Sequence, residues 1–161
     1  MINILSGPVA SGKTTRLMTW VKMQAGCSGI MAPVINQKRH LYSISINESR
    51  LLEVEKPETQ DEETISIGRY HFLKSTFQWA REELVRAIRE TPPFLVIDEI
   101  GPLELSGKGL EPAIGEALYL SERNPEVTQI WVVRKSQVTR VVQHYGLEGK
   151  YILDQSFLKH I

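Results

Sequence analysis

Gly7-Pro8-Val9-Ala10-Ser11-Gly12-Lys13-Thr14 spaces two glycines, a lysine and a hydroxyl in the pattern that wraps a phosphate group. Such a loop works by aiming successive backbone N–H groups, and the positive end of the helix that follows, at one anion. Lys13 adds a point charge for β- and γ-phosphate oxygens, where negative charge shifts during phosphoryl transfer. Thr14 offers a hydroxyl to a magnesium ion. The candidate nucleotide-binding residues are therefore Gly7, Pro8, Val9, Ala10, Ser11, Gly12, Lys13, Thr14 and Thr15.

A second chemical group closes the apolar run Phe94-Leu95-Val96-Ile97: the pair Asp98-Glu99. A carboxylate at the C-terminal end of a buried strand, on the sheet edge that carries the phosphate loop, reaches a metal ion held by the phosphates. Asp98 and Thr14 are thus the candidate magnesium ligands. Glu99 is placed to orient and deprotonate a water in line with the γ-phosphate, so Lys13 and Glu99 are the candidate catalytic residues. Alone, Asp98-Glu99 would read more readily as an acidic helix start that suits the helix dipole. The phosphate loop favours the metal reading. Charge developing during transfer calls for a further cation. Arg134 and Lys135, just after the run ending at Val133, are candidates, with Arg39 and Arg69 behind them.

The elements that position these groups are legible as patterns. Ile2-Asn3-Ile4-Leu5 delivers the phosphate loop, and Leu17, Val21 and Ala25, with Met18 beside them, mark a helix after it. Ile130-Trp131-Val132-Val133 and Tyr151-Ile152-Leu153 repeat the short non-alternating run, which suits strands covered by helices on both faces. Ser75 with Gln78 forms a capping-box signal ahead of a face of Phe77, Ala80, Leu84 and Ala87, and Thr91-Pro92-Pro93 stops that helix. A further face runs through Leu110, Ala113, Ile114, Ala117 and Leu118 with Pro112 in its first turn. A shorter helix over 137–144 ends at Gly146. Strand and helix alternate, which predicts an α/β fold: a mostly parallel sheet flanked by helices, in one domain over 1–161.

One stretch departs from that rhythm. Leu41 to Ile46 alternates, with Tyr42, Ile44 and Ile46 on one face; Asn47-Glu48-Ser49 turns the chain and Leu51, Leu52 and Val54 return. This predicts a β-hairpin insertion over about 38–55 at the sheet edge. The six acids between Glu53 and Glu63 predict a solvated acidic loop over about 53–65.

Bulk properties narrow the partners. The chain has 161 residues, with 42% apolar and 24% charged, and Lys plus Arg equals Asp plus Glu at 19 each. Zero net charge argues against duplex nucleic acid, which demands a basic excess. No run reaches the length of a membrane span, and the N-terminal apolar stretch is too short for a signal peptide. One cysteine, Cys27, read as a small buried or half-buried residue near a helix end, suits a reducing compartment, so a soluble cytoplasmic protein is expected. His40, His71, His144 and His160 show no metal-ligand spacing. Trp20, Trp79 and Trp131 read as core anchors, with Tyr42 or Trp79 as a possible base-stacking partner. Oligomeric state leaves no sequence signal.

Val96-Ile97-Asp98-Glu99-Ile100-Gly101-Pro102-Leu103-Glu104-Leu105 resembles the segment that marks the THEP1-type nucleoside triphosphatases. Gly29-Ile30, the hairpin from Arg39 to Ile46, and Ile67-Gly68-Arg69-Tyr70 ahead of Phe77 are similar to that family too. The resemblance implies a RecA-like P-loop NTPase core and magnesium-dependent hydrolysis of several nucleoside triphosphates to the diphosphate, with loose base preference. Glu104, in the marker segment, reads as support for its loop by hydrogen bonding or as a nucleotide contact. The chain departs from the family at Gly29-Ile30-Met31-Ala32-Pro33-Val34, where Gly-Gly-Phe followed by Thr, Glu and basic residues is usual, and it shows no Asn-Arg pair before Ile161. Two other mechanisms use the same core: a small-molecule kinase using ATP, and a nucleotide-dependent switch with slow hydrolysis. An acidic lid would repel an anionic phosphoryl acceptor, which ranks the kinase lower.

Overall fold

The computed structural model describes residues 1–7, 12–55 and 63–153. In chain order, β1 (Ile2–Gly7) precedes α1 (Lys13–Met23), then β2 (Cys27–Met31), β3 (Val34–Ile35), and the hairpin of β4 (Lys38–Ser43) and β5 (Glu48–Leu51). β6 (Glu53–Val54), β7 (Thr64–Ile67) and β8 (Tyr70–Leu73) follow, and α2 (Lys74–Arg89) leads to β9 (Phe94–Ile100). The short α3 (Pro102–Leu105), α4 (Ala113–Arg123), β10 (Thr128–Arg134), α5 (Val138–His144) and β11 (Tyr151–Ile152) complete the described chain.

The central sheet runs β11-β1-β10-β9-β2 with every neighbour parallel, and β4 joins β2 antiparallel. β9 is therefore not the neighbour of β1; β10 lies between them. Parallel strands need both faces covered, and alternate residues serve the two faces. On one face Val96, Ile130 and Val132 pack with Leu5 and with Leu17, Trp20 and Val21 of α1. On the other, Leu95, Ile97, Trp131 and Val133 pack under α2 and α4 through Phe77, Leu84, Ile114 and Ala117. All three tryptophans are buried. Gly29 permits the close pairing of β2 and β9, since a Cβ there would stand 2.0 Å from the Val96 carbonyl oxygen.

Local expectations fail where neighbours outweigh pattern. α1 stops at Met23, so Ala25 lies exposed beyond it, and Trp20 takes its place on the buried face. Ser75 caps nothing: α2 begins one residue earlier, with Leu73 at the N-cap, and the Thr76 hydroxyl instead donates to the Leu51 carbonyl at 2.6 Å. That bond ties the helix to the hairpin. Pro112 stands at the N-cap of α4 and Leu110, though buried, precedes it. The hairpin turns at 44–47, not 47–49, because Ser43 pairs with Glu48 and His40 with Leu51. Ile46 is consequently exposed in the turn, while Leu41 and Ser43 are buried. The ends of the acidic stretch are strands rather than loop: β6 and β7 both pair with β8 in a separate three-stranded sheet. Ile65, Ile67 and Phe72 give that sheet an apolar face against the main core. Residues 56–62 of the expected loop lie outside the described residues.

Candidate active site

β1 ends at Gly7, and Gly12 precedes α1 with φ 79°, ψ 14°, a left-handed turn that costs any residue with a Cβ about 1–2 kcal/mol. Pro8, Val9, Ala10 and Ser11 lie outside the described residues. Lys13 reaches back so that Nζ donates to the Gly7 carbonyl at 3.0 Å, which holds the ammonium at the end of the strand. Thr14 and Thr15 occupy the first turn of α1, and both line a cleft of about 430 Å³.

Glu99 of β9 lines the same cleft. The strand runs past Ile97 to Ile100, so Asp98 and Glu99 belong to it and do not begin a helix; α3 starts only at Pro102. Val132 of β10 pairs with Asp98 and Val133 with Ile100, leaving Glu99 as an extra residue. Such a bulge interrupts the strict up-and-down alternation of a strand and re-aims the side chains around it. Asp98 is wholly buried: its Oδ2 accepts from the Thr14 hydroxyl at 2.9 Å and from the Ala32 N–H at 3.3 Å. Its Oδ1 has no partner among the described residues. Burial pushes its pKa up to about 6, with Glu99 adding to the rise and the Ala32 N–H, Thr14 and Arg39 opposing it.

Glu99 is 25% exposed and its Oε1 stands 3.2 Å from Arg134 Nε. Arg134 owes its position to β10, whose register sets it opposite Gly7 of β1 while Val133 meets Ile100 of β9. The interposed strand thus sets Arg134 beside Gly7, where β1 ends, and its guanidinium against Glu99 at the bulge. Arg39 lines the same cleft, with its Nη1 donating to the Ala32 carbonyl at 3.0 Å. Lys135 is exposed in a 3-10 turn and does not line the cleft. Arg69 lies over the Tyr70 ring at 5.1 Å and is not part of the phosphate cleft. Tyr42 and Trp79 do not line it either; Tyr42 donates to Asn47 and Trp79 lies under Arg50.

The donor set suits magnesium. A buried carboxylate oxygen without a hydrogen-bond donor, beside a hydroxyl, supplies hard oxygen ligands, and magnesium is commonly held by one or two such groups with phosphates completing its shell. No group of three or more His, Cys, Asp or Glu side chains gathers around a common point among the described residues, so nothing there resembles a zinc cage. Burial pushes the Cys27 thiol up to about 11, which leaves it an unreactive packing residue.

Glu104 supports its loop. Oε1 accepts the Gly101 N–H and Oε2 the Leu110 N–H, each at 2.9 Å, closing the segment that leaves β9. Burial pushes its pKa up to about 7 against those two bonds. Two contributors to the site carry no sequence signal. The Ala32 donor is a backbone group that any residue but proline provides, and the bulge at Glu99 arises from pairing with a strand some thirty residues away. The position of Arg134 one residue after a buried run was the legible part.

No curated protein matches the sequence significantly. Among solved structures, THEP1 from Aquifex aeolicus has the same fold, at 19% identity over 95% of this chain and 88% of that one, with a TM-score of 0.73. A human cancer-related nucleoside triphosphatase aligns over 98% of this chain and 91% of its own at 19% identity, with a TM-score of 0.69. The mostly parallel sheet flanked by helices is therefore that of a P-loop NTPase fold. A family model described as NTPase matches residues 3–152, from the strand that carries the phosphate loop to the last described strand, and on that match the chain belongs to this family of enzymes that hydrolyse nucleoside triphosphates.

Proposed function

We propose that the protein hydrolyses several nucleoside 5'-triphosphates, ATP and GTP among them, to the diphosphate and phosphate in a magnesium-dependent reaction. One observation carries the reading: the Thr14 hydroxyl and Asp98 meet at 2.9 Å at a cleft that Glu99 also lines, with one Asp98 oxygen unpartnered. Gly7 to Thr15 wrap the triphosphate, with the backbone N–H groups of the residues other than Pro8 donating to it and Lys13 charge-paired to its β- and γ-oxygens. Thr14 and Asp98 hold the magnesium ion, which supplies positive charge to phosphate oxygens as negative charge develops on them. Glu99 orients a water toward the γ-phosphorus and takes its proton. Arg134 fixes the Glu99 carboxylate through their ion pair and lends a positive charge to the same cleft.

Loose base preference follows from the wall. Met18, Pro33 and Val34 offer apolar contact, and no aromatic, Asn, Gln or Asp side chain lines this cleft among the described residues. Thr19 and Lys22 are the polar side chains beside these apolar contacts on the cleft wall. No described helix is long and apolar enough to cross a membrane, and the lone Cys27 accords with a reducing compartment such as the cytoplasm.

The test is phosphate release from ATP, GTP, CTP and UTP by purified protein, with magnesium and then with EDTA. Steady release from all four at rates within about one order of magnitude, abolished by EDTA, is the expected result. Tight nucleotide binding with no release from any of them, or release that only a second protein triggers, would replace hydrolysis in its own right with a switch.

A further inference from the structure

A second cavity, of about 840 Å³, adjoins the phosphate cleft and shares Ala32, Val34, Arg39, Glu99 and Arg134 with it. Its outer wall is the small sheet of β6, β7 and β8, through residues such as Val54, Ile67 and Phe72. Leu41, Leu52 and Leu110 line it from the main body of the fold. Hydrolysis needs space for one water. This cavity has the size of a small-molecule site and the mostly apolar wall such sites carry.

Its polar groups narrow the ligand. Four carboxylates and four lysine or arginine side chains lie on the wall, so it has no net charge to draw an anion. Both Glu104 oxygens are engaged by backbone N–H groups. Glu99 lines both spaces and is the carboxylate common to their walls. The objection that acids repel a phosphoryl acceptor applies to anionic acceptors, not to neutral ones.

We propose that this cavity binds a neutral organic alcohol with an apolar body and presents its hydroxyl to the γ-phosphate in place of water. The alcohol oxygen forms the new bond to the γ-phosphorus and the bond to the β,γ-bridging oxygen breaks. The hydroxyl proton passes to the Glu99 carboxylate, and a phosphate monoester and nucleoside diphosphate leave. The inference rests on the hydrolase reading, in which Glu99 serves water in the same way; alcohol and water compete for one base.

The experiment uses the full chain with magnesium and ATP labelled at the γ-phosphate, adding benzyl alcohol, cyclohexylmethanol, isoamyl alcohol or, as a cavity-independent control, methanol. Labelled ester and labelled phosphate are measured together. The apolar alcohols are expected to yield ester at least about tenfold faster than methanol, the scale on which apolar pockets discriminate. Ile67→Trp and Val54→Trp, which fill the cavity from its outer wall, are expected to remove that advantage while phosphate release without alcohol is retained. Ester from none of the three apolar alcohols in a preparation that releases phosphate, ester rates equal to that with methanol, or an advantage that survives in a folded tryptophan variant would each overturn the proposal. If both variants fail to fold, the wild-type comparison with methanol still decides. Ester without any release of phosphate to water would uphold this inference and sink the hydrolase reading instead.

Discussion

The phosphate cleft and the apolar cavity share a wall, yet they are assembled in opposite ways. The cleft takes most of its wall from one local stretch, Gly12 to Lys22, with Glu99 at the end of β9 and Ala32 to Val34, Arg39 and Arg134 closing it. The cavity draws its wall from the hairpin, the small sheet, α2 and the loop after β9, none of which announces it alone. Phosphate chemistry depends on backbone donors and charges at a strand–helix junction, and such a junction is local in sequence. Selection of an organic partner depends on apolar surfaces that only tertiary packing assembles. A chain can thus disclose its reaction well before its substrate.

The sharpest test of that division is at the shared wall. In the proposed mechanism Glu99→Gln removes the base and keeps the shape, so the turnover rate is expected to fall by roughly 10²–10⁴, the usual contribution of a positioned base. Nucleotide affinity, measured by calorimetry with magnesium, should change little, because no phosphate contact is assigned to Glu99. A loss of binding with turnover per bound nucleotide intact would move Glu99 into the binding machinery and break the comparison.

Arg134→Ala comes next. It removes the ion partner of Glu99 and a cation from the cleft, and a fall in turnover of about 10²-fold is expected, as for loss of one preorganised charge at a transition state. Lys135→Ala, one residue on and exposed, should leave steady-state rates unchanged. Equal effects from the two would mean that general positive potential, and not the placed guanidinium, is at work.

What the sequence disclosed follows the same division. The phosphate loop, the Asp98-Glu99 pair and the buried runs are short and local, so their types and order were readable. Expectations tied to a single helix or turn fared worse. Ala25 and Ser75 fit a periodicity or a motif, but the helix ends were set by tertiary contacts such as Thr76 with Leu51. The small sheet was hidden because charge dominates its sequence neighbourhood, although Thr64-Ile65-Ser66-Ile67 alternates as an edge strand should. Acid content describes what faces water and says little about the strand beneath it.

Glu104 separates structural from catalytic carboxylates. Its pKa lies near 7 in the fold against an ordinary 4.5, so between those values the folded protein holds a proton that the unfolded chain has released. Stability therefore falls as pH rises through that window, and the contribution is constant above about 7. Glu104→Gln turns one acceptor into a donor facing a backbone N–H, and is expected to cost about 1–3 kcal/mol near pH 5. Urea titrations at pH 5 and pH 8 should show that deficit shrinking as the wild type loses its advantage. A deficit that stays the same at both pH values would show the carboxylate to be ionised throughout.

The smallest expected effect lies at Ile46, where a strand pattern and a turn compete for one residue. Alternation puts Ile46 on the face of Tyr42 and Ile44, but pairing of Ser43 with Glu48 leaves it in the turn at 43% exposure. Side chains buried in a core contribute some 1.5–3 kcal/mol each, whereas one in an exposed turn contributes a few tenths. Ile46→Ser is accordingly expected to shift the urea midpoint by less than the equivalent of about 0.5 kcal/mol. Leu41→Ala, in the same hairpin but 2% exposed, should cost about 2–5 kcal/mol. Because Leu41 also lines the apolar cavity, the pair distinguishes the face that serves the ligand space from the face that serves only water. A large loss at Ile46 would place that residue in a contact of its own and return the hairpin to the register that alternation suggests.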